Sequence, residues 1–152
     1  MKVAIGSDHA GYALKEETKE ILKALNAEII DCGPAGSESV DYPDFGQKVS
    51  SMVSEGTVER GILICGTGLG MSMVANKFPR VRAALCNDLF CAQMSRLHND
   101  ANILVMGGRI IGKDLAAEIV RKWMSTPFEG ARHANRLMKI RKIEESLTTH
   151  GT

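Results

Sequence analysis

A cysteine followed by closely spaced glycines is the strongest chemical signal in the sequence. In GILICGTGLGMSM, residues 61–73, an apolar run ends at Cys65, and glycines follow at positions 66, 68 and 70. Glycine tolerates backbone conformations that aim successive N–H groups at one point, and a helix predicted to begin near Leu69 adds the positive end of its dipole. The stretch therefore predicts an anion-binding loop with a thiol beside it.

The spacing of these glycines differs from that of two common nucleotide-binding loops. No Gly-Lys-Ser/Thr follows, as a Walker A loop requires, and Met71 occupies the position of the third glycine in the dinucleotide fingerprint. A tight turn would need only one glycine. We therefore favour anion binding over a purely conformational role.

Cys65 is the cysteine expected to do chemistry. The thiolate is the reactive form of cysteine, and a helix N-terminus or nearby cations favour it. A thiolate here could act as a nucleophile or as a general base, and the pattern alone does not decide between them. The other cysteines are predicted to be small buried hydrophobic side chains: Cys32, Cys86 and Cys91.

Two histidines and two arginines are further candidates. His9 follows the first predicted strand, whereas His98 ends a helix just before a strand and is expected at the wrong edge of the sheet for its own chain's site. A histidine at a helix C-terminus is also a common structural feature. Arg132 and Arg136 lie four residues apart on one helical face and could hold a phosphate together, or form a solvated basic face.

The elements that must position these residues alternate along the chain. Five short, mostly apolar segments predict strands buried on both faces: 2–6, 27–32, 61–65, 82–86 and 102–107. Helical patterns lie between and after them: 12–25, 44–55, 69–77, 88–98 and 115–124. Alternating strands and helices are typical of parallel βαβ units. We therefore predict an α/β fold, a three-layer α/β/α sandwich with a five-stranded parallel sheet.

A C-terminal helix is predicted over 131–147, with an apolar stripe that contains Leu137, Ile140 and Leu147. Helices already cover the predicted sheet. The stripe is therefore expected to pack either on a second subunit or on the edge of its own domain.

The strand ends indicate where the site lies, because open parallel sheets bind ligands at the carboxyl ends of their strands. Polar residues that follow these ends are expected to face one crevice: Ser7, Asp8, His9, Cys65, Asn87, Asp88 and Arg109.

Composition excludes several classes of protein. The 152 residues predict a single domain over 1–152, and the net charge of +1 gives no general attraction to nucleic acid or membranes. No signal peptide or membrane span is apparent, so we expect a cytoplasmic protein with reduced cysteines. The cysteines show neither a CxxC pair nor zinc-ligand spacing, and no metal site is expected.

Six stretches between Val3 and about Glu145 together resemble the ribose-5-phosphate isomerase B family, which also contains galactose-6-phosphate isomerase subunits: GSDHAGYALK, DYPDFG, GILICGTGLGMSMVANK, SRLHNDANIL, GGR and GARHANR. The resemblance implies a flavodoxin-like, Rossmann-like fold and a homodimer or dimer of dimers that needs no metal or other cofactor. It also implies conversion of ribose 5-phosphate to ribulose 5-phosphate in the pentose phosphate pathway, through ring opening and an enediolate.

The resemblance also implies roles for individual residues. Cys65 matches the base that moves the proton between C1 and C2, and His98 matches the residue of the neighbouring subunit that opens the sugar ring. The loop that stabilises the enediolate corresponds to Gly66, Thr67, Gly68, Leu69 and Gly70. Positions that bind the ligand, mainly around the phosphate, correspond to His9, Arg109, Arg132 and Arg136. Positions near the sugar correspond to Asp8, Tyr42 and Asn99.

Three alternatives stay open at this point. A Cys–His acyl transferase would use Cys65 as nucleophile and the loop as oxyanion hole, but it leaves Arg132 and Arg136 unexplained. A non-catalytic sugar-phosphate sensor would explain the arginines and leave Cys65 without a role. Among isomerases, the sequence does not separate ribose 5-phosphate from allose 6-phosphate or galactose 6-phosphate.

Overall fold

The computed structural model describes residues 1–149 and contains strands alternating with helices. The strands are β1 (Lys2–Ser7), β2 (Glu28–Asp31), β3 (Arg60–Cys65), β4 (Ala83–Leu85) and β5 (Ile103–Gly107). The helices are α1 (Tyr12–Ala24), α2 (Tyr42–Glu55), α3 (Leu69–Ala75), α4 (Leu89–Leu97), α5 (Lys113–Ser125) and α6 (Arg132–Thr149). Every predicted strand and helix is present, with ends shifted by at most two residues. The domain predicted over 1–152 extends three residues beyond the described part.

All five strands are parallel and form one sheet in the order β2-β1-β3-β5-β4. The predicted parallel α/β architecture is therefore confirmed. The order differs from the 2-1-3-4-5 order of flavodoxin, because β5 lies between β3 and β4. Cys65 at the end of β3 is consequently in register with Gly107 at the end of β5.

Alternate residues of the central strands enter two apolar layers, one on each face of the sheet. One layer joins the sheet to α1, α4 and α5 and contains Leu22, Ile119 and Trp123. The other joins it to α2 and α3 and contains Val49 and Met71. This is the three-layer sandwich, since apolar side chains on both faces of the sheet can leave water only beneath a helix.

The prediction that every strand is buried on both faces is wrong for β2 and β4. These are the two edge strands, and their residues are only partly buried or exposed. An edge strand has a neighbour on one side only, so its apolar side chains are less completely covered.

An ion pair ties α1 to the edge strand β2. The Nζ atom of Lys15 is buried, lies 2.8 Å from Oδ1 of Asp31 and donates to the carbonyl oxygen of Pro34 at 2.8 Å. Lys19, one turn later, reaches Oδ2 of Asp31 at 2.7 Å. The pair holds the loop after β2 beside the start of α1.

Helix α6 touches the sandwich but leaves much of its apolar surface uncovered. Glu144 accepts hydrogen bonds from the amide of Arg80 at 2.9 and 3.0 Å, but large apolar side chains of the helix are exposed, namely Met138, Ile140, Ile143 and Leu147. A cavity of about 670 Å³ separates α6 from the segment around Val81 and Arg82. The apolar stripe is therefore not covered by its own domain. Among the helices of residues 1–149, none is both long enough and apolar enough to cross a membrane.

Candidate active site

The thiol of Cys65 lies buried where β3 enters the glycine loop. Its Sγ atom accepts a hydrogen bond from the amide of Gly68 at 3.2 Å. A second hydrogen bond forms within the loop, where the Leu69 amide donates to Oγ1 of Thr67 at 3.2 Å. The chain thus folds around the sulfur.

Gly68 is the position where the loop cannot accept a side chain. Its φ of 84° lies in the left-handed region, which disfavours other residues. A Cβ atom there would also lie 2.4 Å from Cδ1 of Leu85 and 3.1 Å from the carbonyl carbon of Met106. The glycine therefore allows the turn and lets the loop approach β5 closely.

The loop after β5 lies directly against the glycine loop. The carbonyl oxygens of Cys65 and Gly66 accept hydrogen bonds from the amides of Gly108 and Arg109, at 2.8 and 2.9 Å. A Cβ atom on Gly66 would lie 3.5 Å from Cδ and Nη1 of Arg109. The Arg109 guanidinium is therefore held beside Gly66, within the same crevice.

Two donors at the start of the glycine loop are left available. Within residues 1–149, the amides of Gly66 and Thr67 have no hydrogen-bond acceptor. Unpaired amides are typical of backbone that binds an anion. Together with the Arg109 guanidinium, they give the space beside Cys65 the character of an anion site.

The first strand supplies the opposite wall of this crevice. Asp8 is buried, and its Oδ1 accepts from the Gly11 amide at 3.0 Å, while its own amide donates to Ile64 on β3. His9 places Nδ1 3.2 Å from the backbone of Val40. Asp8 and His9 therefore lie, like Cys65, at the carboxyl ends of the strands.

Tyr42, the first residue of α2, packs against Gly70. A Cβ atom on Gly70 would lie 2.6 Å from the ring carbon Cζ of Tyr42. Tyr42 is 39% exposed. The phenol end of its ring therefore lies against the glycine loop, and the residue borders the crevice.

A second group of predicted residues lies at the amino ends of the strands, at the opposite end of the sheet from Cys65. His98 and Asn99 follow α4, which returns the chain to the amino end of β5. Asn99 is held there, because its carbonyl accepts from Nε of Arg82 at 3.1 Å. Arg132 and Arg136 lie in the first two turns of α6, beside His98 and His133. One chain therefore does not bring these residues to its own Cys65.

Arg132 and Arg136 keep their charges free for a ligand. Both are exposed, and neither forms an ion pair with any residue that the structure describes. His98 is also accessible, with 39% of its side chain exposed.

Two residues expected in the crevice have structural roles instead. Oδ1 of Asn87 accepts from the Gly107 amide at 3.0 Å. Asp88 is the N-cap of α4 and accepts from the Cys91 amide at 2.7 Å. Both side chains stabilise the ends of their own elements.

The other three thiols are set apart from Cys65 by their surroundings. Burial raises the pKa of Cys86 to about 11, and burial together with Asp31 raises the pKa of Cys32. The expectation that Cys91 is buried is wrong, because it lies exposed on the first turn of α4. The hydrogen bond with Asp88 raises the pKa of Cys91.

Two residues that the sequence did not indicate, Glu129 and His133, lie against His98. Their ligand atoms and that of His98 all lie within 4.8 Å of one another, the only such group found among residues 1–149. Donors of these types can bind a metal, although no metal site was expected. The four-residue spacing of Glu129 and His133 was the available signal, but nothing in the sequence brings His98 to them.

Comparisons with known proteins agree with this geometry. Residues 3–140 match the family described as Ribose/Galactose Isomerase. Ribose-5-phosphate isomerase B of Escherichia coli is 45% identical over 144 residues, covering 95% of this chain and 97% of that protein. The structure of the Clostridium thermocellum ribose-5-phosphate isomerase B has a TM-score of 0.94 at 55% identity, covering 97% and 99% of the two chains.

A third relative has been solved with a ligand. The Mycoplasma genitalium ribose-5-phosphate isomerase B with bound ribulose-5-phosphate has a TM-score of 0.91 at 38% identity, covering 95% of this chain and 96% of that one. The family match includes the thiol, the glycine loop and the first half of α6, and the structural matches cover at least 95% of the chain. The chain therefore belongs to the ribose/galactose isomerase family and is an aldose–ketose isomerase of sugar phosphates.

Proposed function

We propose that the chain interconverts ribose 5-phosphate and ribulose 5-phosphate, with Cys65 as the base. The observation that carries the proposal is the buried thiol of Cys65 beside a loop with two unpaired amides. An aldose becomes a ketose when a proton leaves C2 and returns at C1, and negative charge develops on oxygen only during that transfer. A base and preformed donors must therefore stand side by side.

The thiolate of Cys65 takes the C2 proton and returns it to C1. The amides of Gly66 and Thr67 are placed to stabilise the enediolate oxygen, and Gly68, Leu69 and Gly70 hold the loop in that conformation. Asp8, Tyr42 and Asn99 contact the sugar hydroxyls. No bond between sulfur and carbon is needed, which separates this reaction from Cys–His acyl transfer.

The complete site draws on two copies of the chain. One group of residues lies at the carboxyl ends of the strands: Cys65, His9 and Arg109. The other group lies at the opposite end of the sheet: His98, Arg132 and Arg136. A homodimer, or a dimer of dimers, brings the second group to the partner's Cys65. The exposed apolar stripe of α6 supports this assembly, because it is the surface that a second copy would cover.

In this assembly the phosphate lies among four cationic or donor side chains, His9 and Arg109 from one chain and Arg132 and Arg136 from the other. His98 opens the furanose ring before Cys65 acts. We expect the enzyme to work as a single domain in the cytoplasm, where the thiol stays reduced.

The test is incubation of the purified protein with ribose 5-phosphate, followed by an assay for ketose and a parallel assay for ester hydrolysis. Ketose without hydrolysis is expected. Allose 6-phosphate and galactose 6-phosphate, assayed alongside, should give a lower kcat/KM. No turnover of ribose 5-phosphate, or faster turnover of a six-carbon sugar phosphate, would refute this substrate.

A further inference from the structure

Glu129 lies against the nitrogen edges of two stacked histidine rings. The rings of His98 and His133 are nearly parallel, with an interplanar angle of 10° and centroids 4.1 Å apart. Oε2 of Glu129 lies 3.7 Å from Nε2 of His98 and 3.4 Å from Nε2 of His133. One carboxylate oxygen therefore faces the same nitrogen of both rings.

The backbone holds Glu129 in this place. Its amide donates to the carbonyl oxygen of Leu97 at 3.0 Å, directly before His98. Gly130 and Ala131 then turn the chain into α6 with φ values of 73° and 48°. A left-handed alanine is uncommon, so the turn that presents Glu129 to both rings is a specific local structure.

The stacking disfavours a metal as the occupant of this cluster. A metal bonded to Nε2 of both rings would lie out of at least one ring plane, because the rings are stacked face to face with centroids 4.1 Å apart. A Zn–N bond to imidazole normally lies close to the ring plane, along the nitrogen lone pair. A carboxylate at hydrogen-bonding or ion-pair distance tolerates such a displacement better.

Glu129 faces both rings, but burial disfavours a positive charge on His133. His133 is 3% exposed, and its Nε2 atom has no hydrogen-bond partner within the described chain. Burial lowers the pKa of His133; His98, Arg132 and Arg136 lower it further, while Glu129 opposes them. A neutral His133 acts as a flat packing surface against which the His98 ring is held.

We propose that Glu129 is a positioning residue for His98, fixing its ring orientation and its tautomer for ring opening. This inference rests on the proposed function, in which His98 opens the ring of ribose 5-phosphate. A carboxylate facing Nε2 favours the tautomer that carries its proton there. Nδ1 of His98 is then the acceptor that takes the proton of the 1-hydroxyl as the C1–O4 bond breaks, and it returns that proton to O4.

The reaction itself offers a readout that separates ring opening from proton transfer at carbon. Ribose 5-phosphate is mainly a furanose and must open before it can isomerise. Ribulose 5-phosphate cannot form a furanose, because its 5-hydroxyl is esterified, so exchange of its C1 proton with solvent needs only the Cys65 step. Comparing the two rates in one variant therefore isolates the function of His98.

The variants are Glu129→Gln, which removes the charge at nearly constant shape, Glu129→Asp, and Glu118→Gln on α5 as an exposed control. Glu129→Gln should lower kcat for ribose 5-phosphate about tenfold, a part of the 10²- to 10⁴-fold effect of a positioned acid or base. Its C1 exchange should stay within about twofold of wild type. Glu129→Asp should recover part of the loss, and Glu118→Gln should behave as wild type.

The possible results distinguish this inference from the proposed function. If Glu129→Gln leaves both rates unchanged, or lowers both equally, Glu129 does not position His98. If His98→Asn also leaves turnover of ribose 5-phosphate unchanged, the assigned role of His98 is wrong as well. If Cys65→Ala exchanges the C1 proton as fast as wild-type protein does, Cys65 is not the base, and the proposed function is wrong on that point.

Discussion

At the scale of the residue, one thiol among four is selected by its surroundings. Cys65 contacts the amide of Gly68 at the mouth of the crevice, whereas Cys86 is enclosed in the apolar layer beneath α4 and Cys91 faces solvent. The same side-chain chemistry thus has different consequences according to the backbone donors near it.

Replacing Cys65 tests the proposed base. Cys65→Ala should lower both isomerisation and C1 proton exchange by about 10²- to 10⁴-fold, the usual contribution of a general base. Substrate should still bind, because the loop amides and the arginines are unchanged. Deuterium exchange followed by NMR, together with isothermal titration with ribose 5-phosphate, measures both effects.

Cys91→Ala is the matched control for that experiment, since Cys91 is an exposed thiol outside the crevice. It should keep nearly the wild-type rate. Exchange at a wild-type rate in Cys65→Ala, or an equal loss in Cys91→Ala, would mean that the wrong thiol has been chosen.

The free guanidinium groups test the phosphate site. Arg132→Ala and Arg136→Ala should each raise KM for ribose 5-phosphate by about 10- to 100-fold, equivalent to roughly 1.5–3 kcal/mol for a charge-assisted hydrogen bond. Steady-state kinetics measure the change, with Arg121→Ala on α5 as an exposed control. An equal loss on unphosphorylated ribose would contradict a phosphate role.

At the scale of the element, an ion pair and hydrogen bonds outside the sheet ladder fix the segments that line the crevice. The buried ammonium of Lys15 bonds to Asp31 and to the Pro34 carbonyl, while the Asp31 carboxylate also accepts from the Gly33 amide at 2.9 Å. Gly33 in turn accepts from Ser7, the residue before Asp8. The ion pair therefore connects the start of α1, the end of β2 and the end of β1.

Removing the carboxylate should destabilise the fold. Asp31→Asn removes the nearer of two carboxylates from the buried Lys15 ammonium and leaves Glu16 at 3.3 Å. It should lower the free energy of unfolding by about 2 kcal/mol. Urea denaturation measures this change. Glu20→Gln, in an exposed pair with Lys23, should change stability by less than about 0.5 kcal/mol, and equal effects would show that burial of Lys15 is unimportant.

The same pair predicts a dependence on pH. Burial raises the pKa of Asp31, but hydrogen bonds from Lys15, Lys19 and the Gly33 amide outweigh it and lower the pKa overall. The stabilisation is therefore fully present above the ordinary pKa of aspartate, about 3.9. It is lost as the pH falls through the lower folded-state value. The stability difference between wild type and Asp31→Asn should shrink in acid, and a constant difference would contradict this assignment.

At the scale of the whole molecule, the proposed site is divided between chains. Cys65 lies at the carboxyl ends of the strands and His98 at the amino ends of the same sheet, and the apolar stripe of α6 stays exposed. A two-fold dimer would place each His98 beside the partner's Cys65 and cover the stripe in the same step.

Mixing two inactive variants tests this division. Homodimers of Cys65→Ala and of His98→Asn are each impaired at both sites, but a mixed dimer has one site with both groups intact. Random exchange makes about half the dimers mixed, so about a quarter of wild-type activity for ribose 5-phosphate should return. Chains with different affinity tags would verify that subunits exchange. If complete exchange restores nothing, His98 and Cys65 do not serve one shared site.

Local pattern determined much of this protein in advance. Hydrophobic runs and their separation are enough to predict the five strands, the helices between them and the parallel sheet, because burial on two faces requires that periodicity. The glycines around Cys65 likewise indicate an anion-binding loop beside a thiol, since their conformational freedom belongs to the residues themselves. The family resemblance supplied the proposed roles of His98, Arg132 and Arg136.

Contacts between segments distant in the sequence determined the features that local patterns did not predict. The order in which β5 lies between β3 and β4 places Arg109 against Gly66, and no local pattern encodes which strands become neighbours. The grouping of Glu129, His133 and His98 depends on a turn and on the packing of α6 against the end of α4. Cys91 is exposed and Asn87 is engaged by Gly107 for the same reason: contacts between distant segments form only when the chain folds, and residue type alone does not specify them.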